Sequence, residues 1–200
     1  MTAKGEHNRQ SIIDAANSLI YKQGYNVTSL ADIARQSGIP KGNFYFYFKS
    51  KDELLRAVFN DRIQHLVALT ASWETEYATP LECLHRYADV PHKDWTEIVE
   101  YGCPIGTLSG ELGKMCNPDD GLAVKIFAVL VGWSGRQFRK MGFPAEDADR
   151  YARHLLMRMQ GAASMAHAFH DPKWIKEEIR AIHQWLDDLG PTRTPKPSGK

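Results

Sequence analysis

Ten residues near the start of the chain, Pro40-Lys41-Gly42-Asn43-Phe44-Tyr45-Phe46-Tyr47-Phe48-Lys49, have side chains suited to gripping a polyanion. Five consecutive aromatic rings stand between two lysines. Residues in such a run point to every azimuth of a helix, so one core cannot take them all. Phe44 and Phe48 lie one turn apart and suit an inward anchor. That leaves Tyr45, Phe46 and Tyr47 needing another surface. Phenol hydroxyls bond phosphate oxygens, while rings pack on sugars and thymine methyls. Lys41, Lys49 and Lys51 bracket that face, and Gly42 allows close backbone approach. The pattern predicts contact with DNA; a helix packed wholly into its own core would leave three rings without a place.

A second candidate is Tyr101-Gly102-Cys103-Pro104. A cysteine just before a helix-starting proline sits near unpaired backbone N–H groups and the positive end of the helix dipole, which favour thiolate. Such a sulfur reacts with electrophiles or oxidants. The plainer alternative is a small buried hydrophobe. Cys116 is a candidate resolving partner if the fold brings it to Cys103, and Cys83 has less support. Leu108, Met115, Phe127, Val131 and Trp133 are apolar or aromatic residues suited to an effector pocket or to ordinary core.

Signatures of catalysis are missing. Gly132-Trp133-Ser134-Gly135-Arg136 approaches a nucleophile elbow but lacks its final glycine and a preceding strand. His167 and His170 can share a helix face, a spacing that rarely means metal without further ligands. The chain reads as a non-enzyme with no catalytic residues, no metal and no cofactor.

The elements that must position these residues are helical throughout. Ile12, Ala16, Leu19 and Ile20 recur at helical period, with Gly24 as a stop. Ser29-Leu30-Ala31-Asp32 is a capping box, and Ser37-Gly38 turns the chain before Pro40 opens a third helix. Three short helices in the first fifty residues, with a tight glycine turn between the second and third, form a helix-turn-helix pattern. Ser50-Lys51-Asp52-Glu53 is a further capping box, opening a long helix. Helix starts at Thr79-Pro80, Cys103-Pro104, Asn117-Pro118, Glu146 and Asp171-Pro172, with an end at Pro91, bring the total to roughly nine helices. No alternating β-branched run appears, so the fold class is all-α: a helix-turn-helix domain over 1–50, a helical body over 51–190, and a disordered tail over 191–200.

Composition agrees. At 200 residues, 43% hydrophobic and 24% charged, the chain has a globular make-up. No apolar run reaches the length a bilayer requires, and no apolar segment follows the polar first ten residues. Three cysteines at no zinc spacing fit a reducing cytoplasm. Residues 1–65 carry nine Lys/Arg against six Asp/Glu, whereas the remainder carries sixteen against eighteen. The basic surplus thus lies at the end that holds the ring-rich helix.

With those residues in view, the stretch Thr28-Ser29-Leu30-Ala31-Asp32-Ile33-Ala34, Ser37-Gly38-Ile39, Lys41-Gly42-Asn43-Phe44-Tyr45 and Tyr47-Phe48-Lys49-Ser50-Lys51-Asp52-Glu53-Leu54 resembles the TetR family of bacterial transcriptional regulators. The resemblance covers about residues 9–59 and implies a homodimeric, all-helical repressor that binds double-stranded operator DNA and answers to a small-molecule effector. It implies a phosphate contact for Thr28 and for Lys51, and base or backbone contacts for Lys41, Gly42, Asn43, Tyr45 and Tyr47. Position 46 is Phe where many relatives carry a polar residue, so an apolar contact with a thymine methyl replaces a base hydrogen bond there.

The resemblance further implies that the last two long helices form the dimer interface, with Leu155, Met159, Ala162, Ala163, Ala166, Ile179, Ile182 and Trp185 as candidates; the same residues also suit intramolecular core. The Gly-Cys-Pro segment resembles the start of the effector domain in a branch with cysteine-based electrophile sensors. The expected function is a cytoplasmic TetR-type repressor released by a small molecule or reactive electrophile, without membrane association. The alternative is a DNA-binding adaptor whose body meets a protein partner.

Overall fold

The first helix begins well before its apolar period, because Thr2 stands just outside it and accepts the N–H of Gly5 at 3.3 Å. The computed structural model describes residues 2–93, 95–112 and 121–190. In it α1 runs Ala3–Gln23, far longer than a short opening helix. Ile12, Ile13, Ala16 and Ile20 are its buried face, and Gly24 ends it at φ +89°, a backbone conformation that favours glycine.

The helices that follow are α2 (Leu30–Ser37), α3 (Lys41–Tyr47), α4 (Lys51–Glu76), α5 (Pro80–Ala88), α6 (Val90–Lys93), α7 (Trp95–Tyr101), α8 (Gly106–Leu112), α9 (Leu122–Lys140), α10 (Ala145–Phe169) and α11 (Lys173–Leu189). Among the described residues there is no strand, and the all-α expectation holds. The capping box expected at Ser29 forms, and another forms at Thr79, where the sequence predicts only a helix start. Ser29 Oγ accepts the Asp32 N–H at 3.1 Å while Asp32 accepts the Ser29 N–H at 3.3 Å. Thr79 and Glu82 do the same at 3.2 and 2.9 Å. At α4 the exchange is shifted: Ser50 accepts the Glu53 N–H, but Glu53 accepts from Lys49.

Helices α6 and α7 are additions to the sequence reading. The sequence predicts a helix end at Pro91; instead it sits in the first turn of α6, where a missing N–H costs no hydrogen bond. The expected start at Asn117-Pro118 and the tail over 191–200 lie outside the described residues.

The chain divides into two compact units. The first comprises Met1–Leu69 with Glu100–Val129. Its core gathers Ile12, Ile33, Phe44, Phe48, Leu54, Val58 and Phe59 with Leu108, Leu112 and Ile126. Burying each such aliphatic or Phe side chain stabilises the fold by roughly 1.5–3 kcal/mol.

The second unit comprises Thr70–Val99 with Leu130–Lys200. Helices α10 and α11 pack on each other, and α5 packs on α11. Trp73, Tyr87 and Trp133 form a ring cluster with centroids 5.5–6.2 Å apart. Glu74 serves this cluster, accepting from Trp133 Nε1 and Gln137 Nε2 at 2.9 Å each and pairing with Lys140 at 2.6 Å. The hydrogen bond from Lys140 is the main cause that holds the Glu74 carboxyl below its ordinary pKa. His85 and His183 meet through their Nδ1 atoms at 2.6 Å, each ring backed by a carboxylate, Asp187 and Asp89 respectively. Helices α4, α7 and α9 contribute residues to both units.

Candidate nucleic-acid interface

The local sequence makes α3 a short platform locked from beneath. Gly38 closes α2 in the left-handed region at φ 71°, which turns the chain sharply enough for Ile39 to pack back on the core. Phe44 and Phe48 are fully buried, with ring centroids 6.0 Å apart, and the Arg9 guanidinium lies 5.0 Å above the Phe48 ring. These two phenylalanines are the anchors that the spacing predicts.

The other rings lie where that anchoring sends them. Phe46 is 75% exposed and Tyr45 49% exposed, while Tyr47 is half-buried against the core. Phe46 and Tyr47 meet edge to face at 5.3 Å. Lys41, Gly42 and Asn43 are exposed. A side chain at Gly42 would meet nothing within 4 Å, so the protein's own packing does not demand glycine there. The Lys49 ammonium lies 3.4 Å from the Tyr45 carbonyl. The result is an outward surface of two rings, a phenol, an amide and two ammonium groups, with no carboxylate contributed by α3 itself.

Two expected phosphate contacts take different positions. Thr28 is buried, and its hydroxyl donates to the Gly24 carbonyl at 2.7 Å and accepts from Gln23 Nε2 at 3.2 Å. In this conformation it braces the α1–α2 turn instead of presenting a donor to solvent. Lys51 is half-buried; its ammonium donates to the Tyr25 carbonyl and lies 4.1 Å from the Tyr25 ring centroid. Desolvation lowers its pKa from the ordinary lysine value, partly opposed by the charges of Glu111 and Asp52.

Several contributors have no signal in the local sequence. Asn8 on α1 donates to the Tyr47 phenol oxygen at 3.0 Å. Glu111 on α8 accepts the backbone N–H groups of Tyr25 and Asn26 at 2.8 and 2.7 Å. Arg62 on α4 donates to Asn17 and to the Pro104 carbonyl, both at 2.6 Å, while the Tyr21 hydroxyl donates to the Gly102 carbonyl at 3.0 Å. These bonds tie α8 and the segment before it to the framework that carries α2 and α3.

The effector candidates divide between the two units. Cys103 is half-buried in the first unit and is not in a disulfide. Leu108 is buried in that unit's core and Phe127 packs against it. Trp133 is fully buried in the second unit, and Val131, also of that unit, is half-buried. Cys83 is buried, its sulfur bonded to the Trp73 carbonyl, and burial pushes its thiol pKa up. Met115 and Cys116 lie outside the described residues.

The dimer candidates are largely consumed within one chain. Leu155, Met159, Ala163, Ala166, Ile179 and Ile182 are buried, because α10 and α11 pack on each other and α5 covers α11. Ala162 and Trp185 remain partly exposed, the latter beside Tyr151 and under Arg158. The outward faces carry Met157, Gly161, Met165, Trp174 and Ala181. Among the described residues, no three His, Cys, Asp or Glu converge as metal ligands, and no helix is long and apolar enough to cross a membrane. His167 donates from Nδ1 to the Val99 carbonyl at 3.0 Å.

An anchored third helix after a left-handed glycine turn, with exposed rings and cations, defines the class of helix-turn-helix DNA-binding proteins. Residues 12–58 match the family model for bacterial regulatory proteins of the tetR family. The chain is 28% identical to the uncharacterized HTH-type transcriptional regulator YxaF of Bacillus subtilis (strain 168), across 83% of this chain and 87% of that protein. It is 32% identical to the uncharacterized HTH-type transcriptional regulator TtgW of Pseudomonas putida, across 50% of this chain and 77% of that one. A TetR-family regulator from Cytophaga hutchinsonii superposes with a TM-score of 0.82 at 18% identity, covering 96% of this chain and 100% of that structure. The chain belongs to the TetR family of transcriptional regulators, which bind DNA and are not enzymes.

Proposed function

We propose that the chain is a cytoplasmic homodimeric repressor that holds a near-palindromic operator and lets go when an effector engages its helical body. Residues 1–50 serve as the reading head and 51–190 as the effector-binding and dimerisation body. Each protomer lays α3 in a major groove, and the two-fold axis sets half-site spacing. The observation that carries this reading is the outward pair Tyr45 and Phe46 on a helix held down by Phe44 and Phe48. Lys41, Asn43, Tyr45 and Tyr47 contact backbone and bases, Gly42 admits the sugar-phosphate chain, and Phe46 packs on a thymine methyl. Lys51 reaches a phosphate by exchanging its Tyr25 contact, and Thr28 acts by holding the turn beside it.

Release requires an effector with differential affinity for two shapes of the dimer. Cys103 is the candidate contact for a reactive electrophile; for a reversible ligand the apolar candidates are Leu108 and Phe127 in the first unit, or Val131 and Trp133 in the second. The second copy meets the outward faces of α10 and α11, where Met157, Gly161, Met165 and Trp174 supply small and apolar surface continuous with Ala162.

The testing experiment is enrichment of duplexes from a random-sequence pool by the wild-type protein, then a salt titration of the enriched site. Lys41→Ala and Lys51→Ala should each flatten the log–log salt slope by about 0.9. Unchanged slopes would remove those contacts. Alkylation of Cys103 should lower affinity for the same duplex; full alkylation without effect would remove the electrophile reading.

A further inference from the structure

We infer that Asn8, on α1 and outside the α2–turn–α3 segment, is a positioning residue for DNA binding that sets the direction of the Tyr47 hydrogen bond; this rests on the reading of α3 as the DNA-contacting helix. The Asn8 amide nitrogen is 3.0 Å from the Tyr47 phenol oxygen. An amide nitrogen only donates, so the phenol oxygen accepts, and the phenol hydrogen stays available for another acceptor. A phosphate oxygen is that acceptor. A phenol that already accepts one hydrogen bond is polarised into a better donor, and a bond to an ionised oxygen is stronger than a neutral one.

The two tyrosines of α3 differ in this respect. Tyr45 is 49% exposed, and its ring lies edge-on to Phe44 at 6.2 Å. Tyr47 is half-buried, packs on the core, lies edge-on to Phe46 at 5.3 Å and is pinned at its oxygen by α1. A side chain held in its binding geometry loses less rotamer freedom when DNA arrives. Asn8 thus makes Tyr47 a preorganised donor, whereas Tyr45 is the more exposed of the pair.

The test is a double-mutant cycle on the duplex enriched by the wild-type protein, read by fluorescence anisotropy at several salt concentrations. Asn8→Ala and Tyr47→Phe should each weaken binding by roughly 10- to 150-fold, the size of one hydrogen bond to a charged group. The double variant should be no weaker than either single variant. The salt slope should stay at the wild-type value, because neither change removes a cation. Asn8→Asp should bind more weakly than Asn8→Ala, since a carboxylate accepts the phenol hydrogen and repels phosphate. Alanine is a better helix former than asparagine, so Asn8→Ala should keep the wild-type melting temperature. Losses that multiply in the double variant would overturn the inference, showing that Asn8 acts on its own account. A Tyr47→Phe variant that binds normally while Lys41→Ala does not would also overturn it, with the DNA reading intact. Failure of the wild-type protein to enrich any duplex would remove both.

Discussion

Two regions of this molecule are rich in aromatic rings and treat them in opposite ways. In α3 the rings come from consecutive positions on one seven-residue helix, and Tyr45 and Phe46 remain outside. In the second unit Trp73, Tyr87 and Trp133 come from α4, α5 and α9, one ring each, and all three are buried. A helix can turn one ring inward at no cost to its other faces; it cannot turn five. What separates a recognition surface from a core is therefore the azimuth at which each ring leaves its helix. The polar groups follow the same division. Glu74 satisfies the indole of Trp133 inside the second unit, whereas the cations around α3 are exposed or only half-buried.

The sharpest way to break this comparison is to exchange ring for methyl on the two sides of α3. Phe44→Ala should destabilise the first unit by about 3–5 kcal/mol, as truncating a fully buried Phe does. Phe46→Ala, two residues away, should change stability by no more than about 0.5 kcal/mol. Thermal or urea unfolding distinguishes them, and equal losses would mean that α3 has no outward face.

Next in size is the acceptor in the second unit. Glu74→Leu leaves the Trp133 indole and the Gln137 amide without their partner and should cost about 1–3 kcal/mol. The same carboxylate predicts a pH dependence. Its folded-state pKa is depressed by the Lys140, Trp133 and Gln137 hydrogen bonds. Its contribution is therefore complete above the unfolded carboxylate value and is lost as pH falls through the lower folded one. Glu74→Gln should flatten that acid limb of the melting temperature; an unaltered limb would contradict the assignment.

The smallest effect compares two sulfurs. Cys103 should be alkylated faster than Cys83 in the native protein, since Cys83 is buried with a raised pKa. Mass spectrometry of the time course checks this, and the reverse order would contradict it.

What is legible in the sequence is local. The capping box at Ser29 involves residues three apart, and Phe44 and Phe48 sit one turn apart, so their geometry follows from helix periodicity alone. What is not legible depends on partners brought together by packing. Asn8 and Tyr47 are 39 positions apart. Glu111 finds the N–H groups of Tyr25 and Asn26 from 86 and 85 positions away, and those donors belong to the backbone, so no residue type announces them. The family resemblance implies a phosphate contact for Thr28, but the Gly24 carbonyl that takes its hydroxyl has no side-chain signal in the sequence. The apolar stripes of α10 and α11 are legible as stripes, but whether they meet each other or a second chain is not; within the chain they meet each other.

The central claim is that the outward rings and cations of α3 hold a duplex. Anisotropy titration of the enriched duplex with the wild-type protein and with Tyr45→Ala/Tyr47→Ala tests it most directly. The wild type should bind in a salt-sensitive way, and the variant should lose at least about tenfold in affinity with its helical circular dichroism unchanged. A variant that folds normally and binds the same duplex as tightly as the wild type would contradict it.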